Sequence, residues 1–160
     1  MNSVKPLKIL GIDPGIARMG WGVVEEINQK PRAIDYGCFE TSKSMDHAER
    51  LAAVQQEFTR LIKTHKPDKI AVEKLFFSKN VKTALTVGEA RGVILMTCAT
   101  QKVPIVEISP KEVKQALTGY GGADKQQMQK MIQLILKLKT IPKPDDAADA
   151  LAIALAGARL

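Results

Sequence analysis

The chain has 160 residues, the length of one domain with a sizeable core, so we expect a single domain over residues 1–160. Apolar residues make up 45% of it, and its two cysteines lack disulfide or metal spacing, which argues against a disulfide-stapled or zinc-centred fold. No apolar run approaches the ~18 residues of a membrane span and no signal peptide is evident, so we expect a cytoplasmic protein, and the net charge of +7 suits an anionic partner.

The first predicted element is a short strand within residues 8–15, Lys-Ile-Leu-Gly-Ile-Asp-Pro-Gly. Residues 9–12 are apolar or glycine, a pattern typical of a strand buried on both faces. The strand ends on Asp13, and the Pro-Gly pair that follows predicts a turn. Ligands of open α/β sheets bind at this end of the strands. The alternative is an aspartate that only caps a turn, and the choice depends on whether the fold brings partners to Asp13.

The elements that follow extend the sheet and add a second carboxylate. Residues 20–40 predict two further strands around a turn, and a helix then runs to about His65. Residues 69–73 form another short apolar strand, which ends on Glu73. Because a strand, helix, strand crossover predicts parallel pairing, we expect Asp13 and Glu73 at the same edge of the sheet.

Two adjacent aromatic residues, Phe76 and Phe77, lie in the loop predicted at residues 75–80. An exposed phenylalanine beside a carboxylate site could wedge into or stack on a nucleic acid base. The alternative is that both rings are buried in the core.

The long helix predicted at about residues 81–101 carries Gly88 and Gly92 on one face. Glycines four residues apart let another element approach closely. That element is either the sheet or the same helix of a second copy of the chain.

The C-terminal half of the chain is basic until its last segment. Residues 111–143 hold seven lysines against one glutamate and one aspartate. Ser109 begins one predicted helix, and a lysine-rich helix is predicted from about Ala123 until Pro142 and Pro144 stop it. A basic field beside an acidic cluster suits a bound polyanion with metal ions, and a solvated lysine-rich helix is the alternative.

The final predicted helix begins near Asp145 and is rich in alanine, which lets it lie close to the sheet. Asp146 and Asp149 are three residues apart, so they share one face of this helix. Acidic residues at a helix N-terminus are ordinary partners of the helix dipole, which accounts for Asp145 and Asp146. It does not account for Asp149 in the second turn.

Four carboxylates would meet if the last helix covers the ends of the first and fourth strands: Asp13, Glu73, Asp146 and Asp149. Hard oxygen ligands of this kind suit Mg²⁺ or Mn²⁺. Two such ions about 3.5–4 Å apart activate a water and stabilise the leaving oxygen in phosphodiester hydrolysis.

Five motifs follow one another along almost the whole chain: Gly11-Ile-Asp-Pro-Gly15, Ala71-Val-Glu73 followed by Phe76, Lys79-Asn80, Gly88-x-Ala-Arg-Gly92, and Asp146-Ala-Ala-Asp-Ala-Leu-Ala152. In this order they resemble the RuvC family of bacterial Holliday-junction resolvases. The resemblance implies an α/β, ribonuclease-H-like fold, a five-stranded mixed sheet flanked by helices.

The resemblance also implies roles for residues at the matching positions. Asp13, Glu73, Asp146 and Asp149 would be the catalytic carboxylates that bind two Mg²⁺ ions, with Mn²⁺ as a substitute. Lys114 and Lys125 would lie near the scissile phosphate, and Phe76 would contact DNA at the junction centre.

The family further implies a homodimer that makes paired, symmetric nicks in four-way DNA junctions during recombination and repair. It also implies work alongside the RuvA–RuvB branch-migration complex.

Three other classes of protein remain as alternatives. Actin-like ATPases share the Gly-x-Asp-x-Gly turn but need two such domains to enclose ATP. A catalytically dead nucleic-acid-binding scaffold would need the basic surface but neither Glu73 nor Asp149. Another ribonuclease-H-like nuclease would differ by acting on RNA or on an RNA–DNA hybrid.

Overall fold

The computed structural model describes residues 4–74 and 80–160 and contains one five-stranded mixed sheet. The strand order is β3-β2-β1-β4-β5, antiparallel between β3, β2 and β1 and parallel from β1 through β4 to β5. Phe76 and Phe77 lie outside the described residues, so the stacking role of Phe76 stays a prediction. The strands are β1 (Leu7–Asp13), β2 (Arg18–Ile27), β3 (Lys30–Glu40), β4 (Lys69–Glu73) and β5 (Ile105–Ile108).

Helices cover both faces of the sheet, and four of the five within the described ranges have a side-chain cap at the N-terminus. Three of these are full capping boxes, in which the N-cap side chain and the side chain three residues later satisfy each other's backbone N–H groups. The helices are α1 (His47–His65), α2 (Val81–Gln101), α3 (Pro110–Thr118), α4 (Lys125–Ile135) and α5 (Asp145–Ala158).

The end of the lysine-rich helix was predicted wrongly. Asp124 caps α4, so the helix begins at Lys125, within two residues of the start predicted near Ala123. It ends at Ile135, where Leu136 closes the last turn and Lys137 adopts the left-handed conformation. Pro142 therefore lies in the connection between α4 and α5 and does not stop the helix.

The core has two halves because the side chains of β1 alternate between the faces of the sheet. Leu10 and Ile12 face α1 and α2, in a cluster with Phe58. Ile9 belongs to the other cluster, which α5 fills together with α3 and α4. Ten residues of α5 are buried, so this helix is the centre of the second half.

No helix within the described ranges is both long enough and apolar enough to cross a membrane.

Candidate active site

The sheet brings two of the four carboxylates to one edge. β1 and β4 are parallel neighbours, with Ile12 in register with Val72. Asp13 and Glu73 are the next residues along these strands, and each is the last residue of its strand. The prediction that they emerge side by side at the carboxyl ends of parallel strands is confirmed.

Glycine residues let α5 lie directly on β1 and β2, which carries Asp146 to the same edge. A Cβ at Gly11 would lie 2.1 Å from the carbonyl oxygen of Ala150. A Cβ at Gly20 would lie 2.1 Å from the carbonyl oxygen of Asp146 and 2.9 Å from its Cβ. Because Gly20 is the register partner of Asp13, this contact places Asp146 beside Asp13.

Substituting Gly20 by alanine is therefore expected to destabilise the protein by about 1–3 kcal/mol, since the methyl group must displace the first turn of α5. Urea unfolding followed by circular dichroism measures this change. Unchanged stability would mean that the helix shifts freely and that Gly20 does not fix its position.

Asp149 opens onto a cleft of about 240 Å³, which we call the acidic cleft. One wall belongs to the sheet edge and α5, and the other belongs to α3 and α4, which contribute Lys114 and Lys125. Asp149 is the most exposed of the four carboxylates. The residues lining the acidic cleft are Glu73, Pro110, Val113, Lys114, Lys125, Met128, Gln129, Ile132, Asp149, Ala152 and Ile153.

Burial and mutual repulsion make the ionised form of Asp13 costly. Burial, followed by the charges of Glu73, Asp149 and Asp146, raises the pKa of Asp13 from 3.8 to about 8. All four influences act in the same direction. Partial burial is also the main cause of the raised pKa values of Glu73 and Asp149.

Three of the four carboxylates have a neighbouring cation. Lys114 lowers the pKa of Glu73 and Lys125 lowers that of Asp149, in both cases against the larger effect of burial. Lys125 also forms an ion pair with Asp145, the neighbouring residue outside the four.

The cation beside Asp146 is Arg18, a residue that sequence reasoning did not find. Its Nε lies 3.0 Å from Oδ2 of Asp146, and Cys38 Sγ lies 4.0 Å from the same oxygen. The available signal was that Arg18, Gly20 and Gly22 alternate along β2, so they share the face that α5 covers.

A second cleft, of about 200 Å³, lies on the α2 side of Asp13 and Glu73. Arg91 lines it and pairs with Glu107, while its buried Nε has no hydrogen-bond partner among residues 4–74 and 80–160. The remaining lining residues are Pro14, Lys74, Val87 and Pro110. Because Glu73 lines both clefts, the carboxylate cluster is approachable from two sides.

In the described ranges, no three His, Cys, Asp or Glu side chains form a group that could hold a metal ion as placed. The donor set nevertheless fits a hard divalent cation, because it consists of carboxylate oxygens. Burial, and then repulsion from the neighbouring carboxylates, raises the pKa of Asp13, and a cation between these groups would offset both effects.

The raised pKa of Asp13 predicts that the metal-free protein loses stability as pH rises. The folded state favours the protonated acid, so its contribution is complete below pH 3.8 and is lost between 3.8 and about 8. Thermal unfolding in a chelator should show this slope, and Asp13→Asn should reduce it.

Asp68→Asn is the matched control, because hydrogen bonds from Lys5 and Lys8 lower the pKa of Asp68. Its stabilising contribution is present above its unfolded pKa, so the variant should lose stability evenly across the same window. An equal slope in wild type and Asp13→Asn would contradict the assignment to Asp13.

The family model described as "Crossover junction endodeoxyribonuclease RuvC" matches residues 9–157. A crossover junction endodeoxyribonuclease RuvC of Roseiflexus sp. (strain RS-1) is 55% identical over 148 residues, which cover 92% of this chain and 88% of that protein. The protein of the same name from Chloroflexus aurantiacus (strain ATCC 29366 / DSM 635 / J-10-fl) is 56% identical over 149 residues, covering 93% and 91%.

The solved structures that resemble this chain include a member of the same family. Thermus thermophilus RuvC in complex with a Holliday junction substrate superposes with a TM-score of 0.89 at 37% identity, covering 95% of this chain and 93% of that one. The yeast mitochondrial Holliday junction resolvase Ydc2 superposes with a TM-score of 0.69 over 92% and 76% of the two chains. At 18% identity, that likeness concerns the fold alone. The predicted ribonuclease-H-like fold is confirmed.

Proposed function

The chain belongs to the RuvC family of crossover junction endodeoxyribonucleases, and we propose that it is a resolvase that hydrolyses phosphodiester bonds in four-way DNA junctions with Mg²⁺. The family supports the junction as substrate. The requirement for metal and the roles of individual residues are our inference from the site.

The requirement for a metal ion is inferred from the position of Asp13 among the carboxylates and from its raised pKa. Asp13 lies at the centre of four carboxylates, and every influence on its pKa raises it. Lys114, Lys125 and Arg18 act on the other three carboxylates, whereas no cation among the described residues lowers the pKa of Asp13. A divalent cation ligated there would restore the ionised form.

Asp13, Glu73, Asp146 and Asp149 would hold the cations, with Mn²⁺ able to replace Mg²⁺. Two bound cations would supply an activated water and neutralise charge on the leaving oxygen. The protein's own part would be to fix four carboxylates at one sheet edge, with Glu73 and Asp149 open to the acidic cleft and Asp13 and Glu73 open to the second cleft.

Lys114 and Lys125 would hold the DNA backbone, since both line the acidic cleft opposite Glu73 and Asp149. An ammonium group pairs with a phosphate as a mobile point charge. In the free protein these lysines balance carboxylates, and with substrate they would also offset the charge of the scissile phosphate.

The decisive experiment is cleavage of a synthetic four-way junction with and without Mg²⁺, beside a linear duplex and an RNA–DNA hybrid. We expect cuts in the junction only and none in a chelator. Preferred cleavage of the hybrid would favour the other ribonuclease-H-like nuclease. Binding without cleavage would favour the non-catalytic scaffold.

Lys114→Ala and Lys125→Ala are each expected to weaken junction binding or cleavage and to flatten the salt dependence of affinity. The slope of log K against log salt should become less steep by roughly 0.9 for each lost phosphate contact. Lys63→Ala on the exposed end of α1 is the control and should change neither quantity. An unchanged salt slope and cleavage rate in both variants would mean that these lysines are only solvated surface residues.

We further propose that the enzyme acts as a homodimer, because a four-way junction has two equivalent strands to cut and one chain offers one set of four carboxylates. By family resemblance it would follow the RuvA–RuvB complex in the cytoplasm, where its DNA substrate lies. The assignment of Phe76 to the junction centre stays a prediction of the same kind.

A further inference from the structure

Arg18 contacts the carboxylate cluster more directly than any lysine does. Its Nε is 3.0 Å from Oδ2 of Asp146, while Glu40 lies 3.7 Å from the same nitrogen. Within the part of the chain that the structure describes, this is the only ion pair formed by any of the four carboxylates. The guanidinium therefore has a defined partner in the site.

The position of Arg18 follows from the alternation of side chains along β2. Gly22 lies beneath Leu151 and Gly20 lies beneath Asp146. The N-terminus of α5 therefore lies over the beginning of β2. Arg18 is the next residue on the same face and is the first of the three with a side chain. It therefore lies past the start of α5 and reaches the Asp146 carboxylate from that end.

We propose that Arg18 is a positioning residue, which holds Oδ2 of Asp146 so that Oδ1 faces the carboxylate cluster in one orientation. The inference rests on the proposed function. The terminal torsion of an aspartate has a broad energy minimum, so a carboxylate at the start of a helix is poorly oriented by itself. The 3.0 Å ion pair with the planar guanidinium, with the Cys38 thiol beside the same oxygen, restricts it.

A direct contact between Arg18 and DNA phosphate is the main competing role, because 46% of its side chain is exposed. The two roles differ in what they change. A phosphate contact acts on junction affinity and its salt dependence. A positioning contact acts on the cleavage rate once the junction is bound.

The test compares Arg18→Gln and Arg18→Lys with the control Arg60→Gln, which removes an exposed guanidinium from its own carboxylate pair on α1. Single-turnover cleavage at saturating junction and Mg²⁺ is expected to fall about 10–100-fold in Arg18→Gln, the usual effect of losing a residue that orients a ligand. Arg18→Lys should recover part of the rate, and Arg60→Gln should match wild type.

Junction affinity, measured without Mg²⁺, is expected to stay within about twofold of wild type in all three variants, since the loss is not in phosphate contacts. A loss of affinity equal to the loss of rate would make Arg18 a phosphate contact and overturn the proposal. A wild-type rate in Arg18→Gln would equally overturn it.

A double-mutant cycle tests the contact between Arg18 and Asp146 without a measurement of cleavage. In a chelator, Arg18→Gln should change the urea midpoint in the wild-type background and have a smaller effect in the Asp146→Asn background. The same change in both backgrounds would mean that the pair is not coupled. Because the cycle needs no cleavage, it tests the contact between Arg18 and Asp146 even if the wild-type protein does not cut junctions. That result would contradict the proposed function but not the contact.

Discussion

Asp13→Asn is expected to abolish cleavage of a four-way junction while leaving the fold and junction binding intact. The amide keeps the shape of the side chain but removes the charge that holds a divalent cation. A bound cation contributes several kcal/mol of charge stabilisation, so the rate should fall by at least about 10³-fold. Single-turnover cleavage with labelled junction measures the rate, and gel shift in Ca²⁺ measures binding.

The matched control is Asp145→Asn, which changes an aspartate next to the cluster. Asp145 pairs with Lys125 and Gln129 on the surface, does not act on the pKa of Asp13, and is the smallest of the influences on the pKa of Asp149. It should keep most of the activity. The amide variants of Glu73, Asp146 and Asp149 should behave like Asp13→Asn. A near wild-type rate in any one of them would mean that this residue is not part of the catalytic site.

The sequence was sufficient to predict the sheet edge that carries Asp13 and Glu73. Each residue ends a short apolar run, and the helix between the runs requires a parallel crossover. The observed register of β1 with β4 then places the two carboxylates side by side. Asp149 was also predictable, because an aspartate in the second turn of a buried helix has no role in the helix dipole.

The alternation of Arg18 with Gly20 and Gly22 is visible in the sequence, but it does not predict the role of Arg18, because that role depends on which face of β2 meets α5. That face is set by the pairing of Gly20 with Asp13 and by the close approach of Asp146 to Gly20, both of which are contacts between distant parts of the chain. The end of α4 was missed for a related reason. Leu136 is buried in the core and closes the helix, a tertiary effect that outweighs the local signal of Pro142.

An apolar surface on α2 gives the proposed dimer a location. Leu85 and Met96 are 64% and 56% exposed, and the exposed Gly92 lies between them on the same helical face. The opposite face of α2 is buried and packs against α1. Since no atom of the described residues lies within 4 Å of a Cβ position at Gly92, the surface is open to a second copy of α2 crossing there.

Leu85→Glu is therefore expected to shift the protein from a dimer toward a monomer, because a twofold interface would bring two like charges together at an apolar contact. Light scattering should give twice the 17.5 kDa of one chain for wild type and approach the single mass for the variant. Gly92→Leu should act in the same direction by filling the space where two helices cross.

The same variants should change the products of cleavage on a plasmid cruciform. Two nicks in one binding event linearise the circle, whereas a monomer with one set of carboxylates produces mainly nicked circles. Leu134→Glu on α4 is the matched control, since Leu134 is also 64% exposed but lies on a different helix, and it should stay dimeric and give linear product.

A wild-type protein that is monomeric at micromolar concentration and yields only nicked circles would refute both the dimer and paired cleavage. A dimer that survives Leu85→Glu and Gly92→Leu would place the interface elsewhere, because neither a charge nor a bulky side chain at the centre of an α2 contact could be accommodated without separating the two helices.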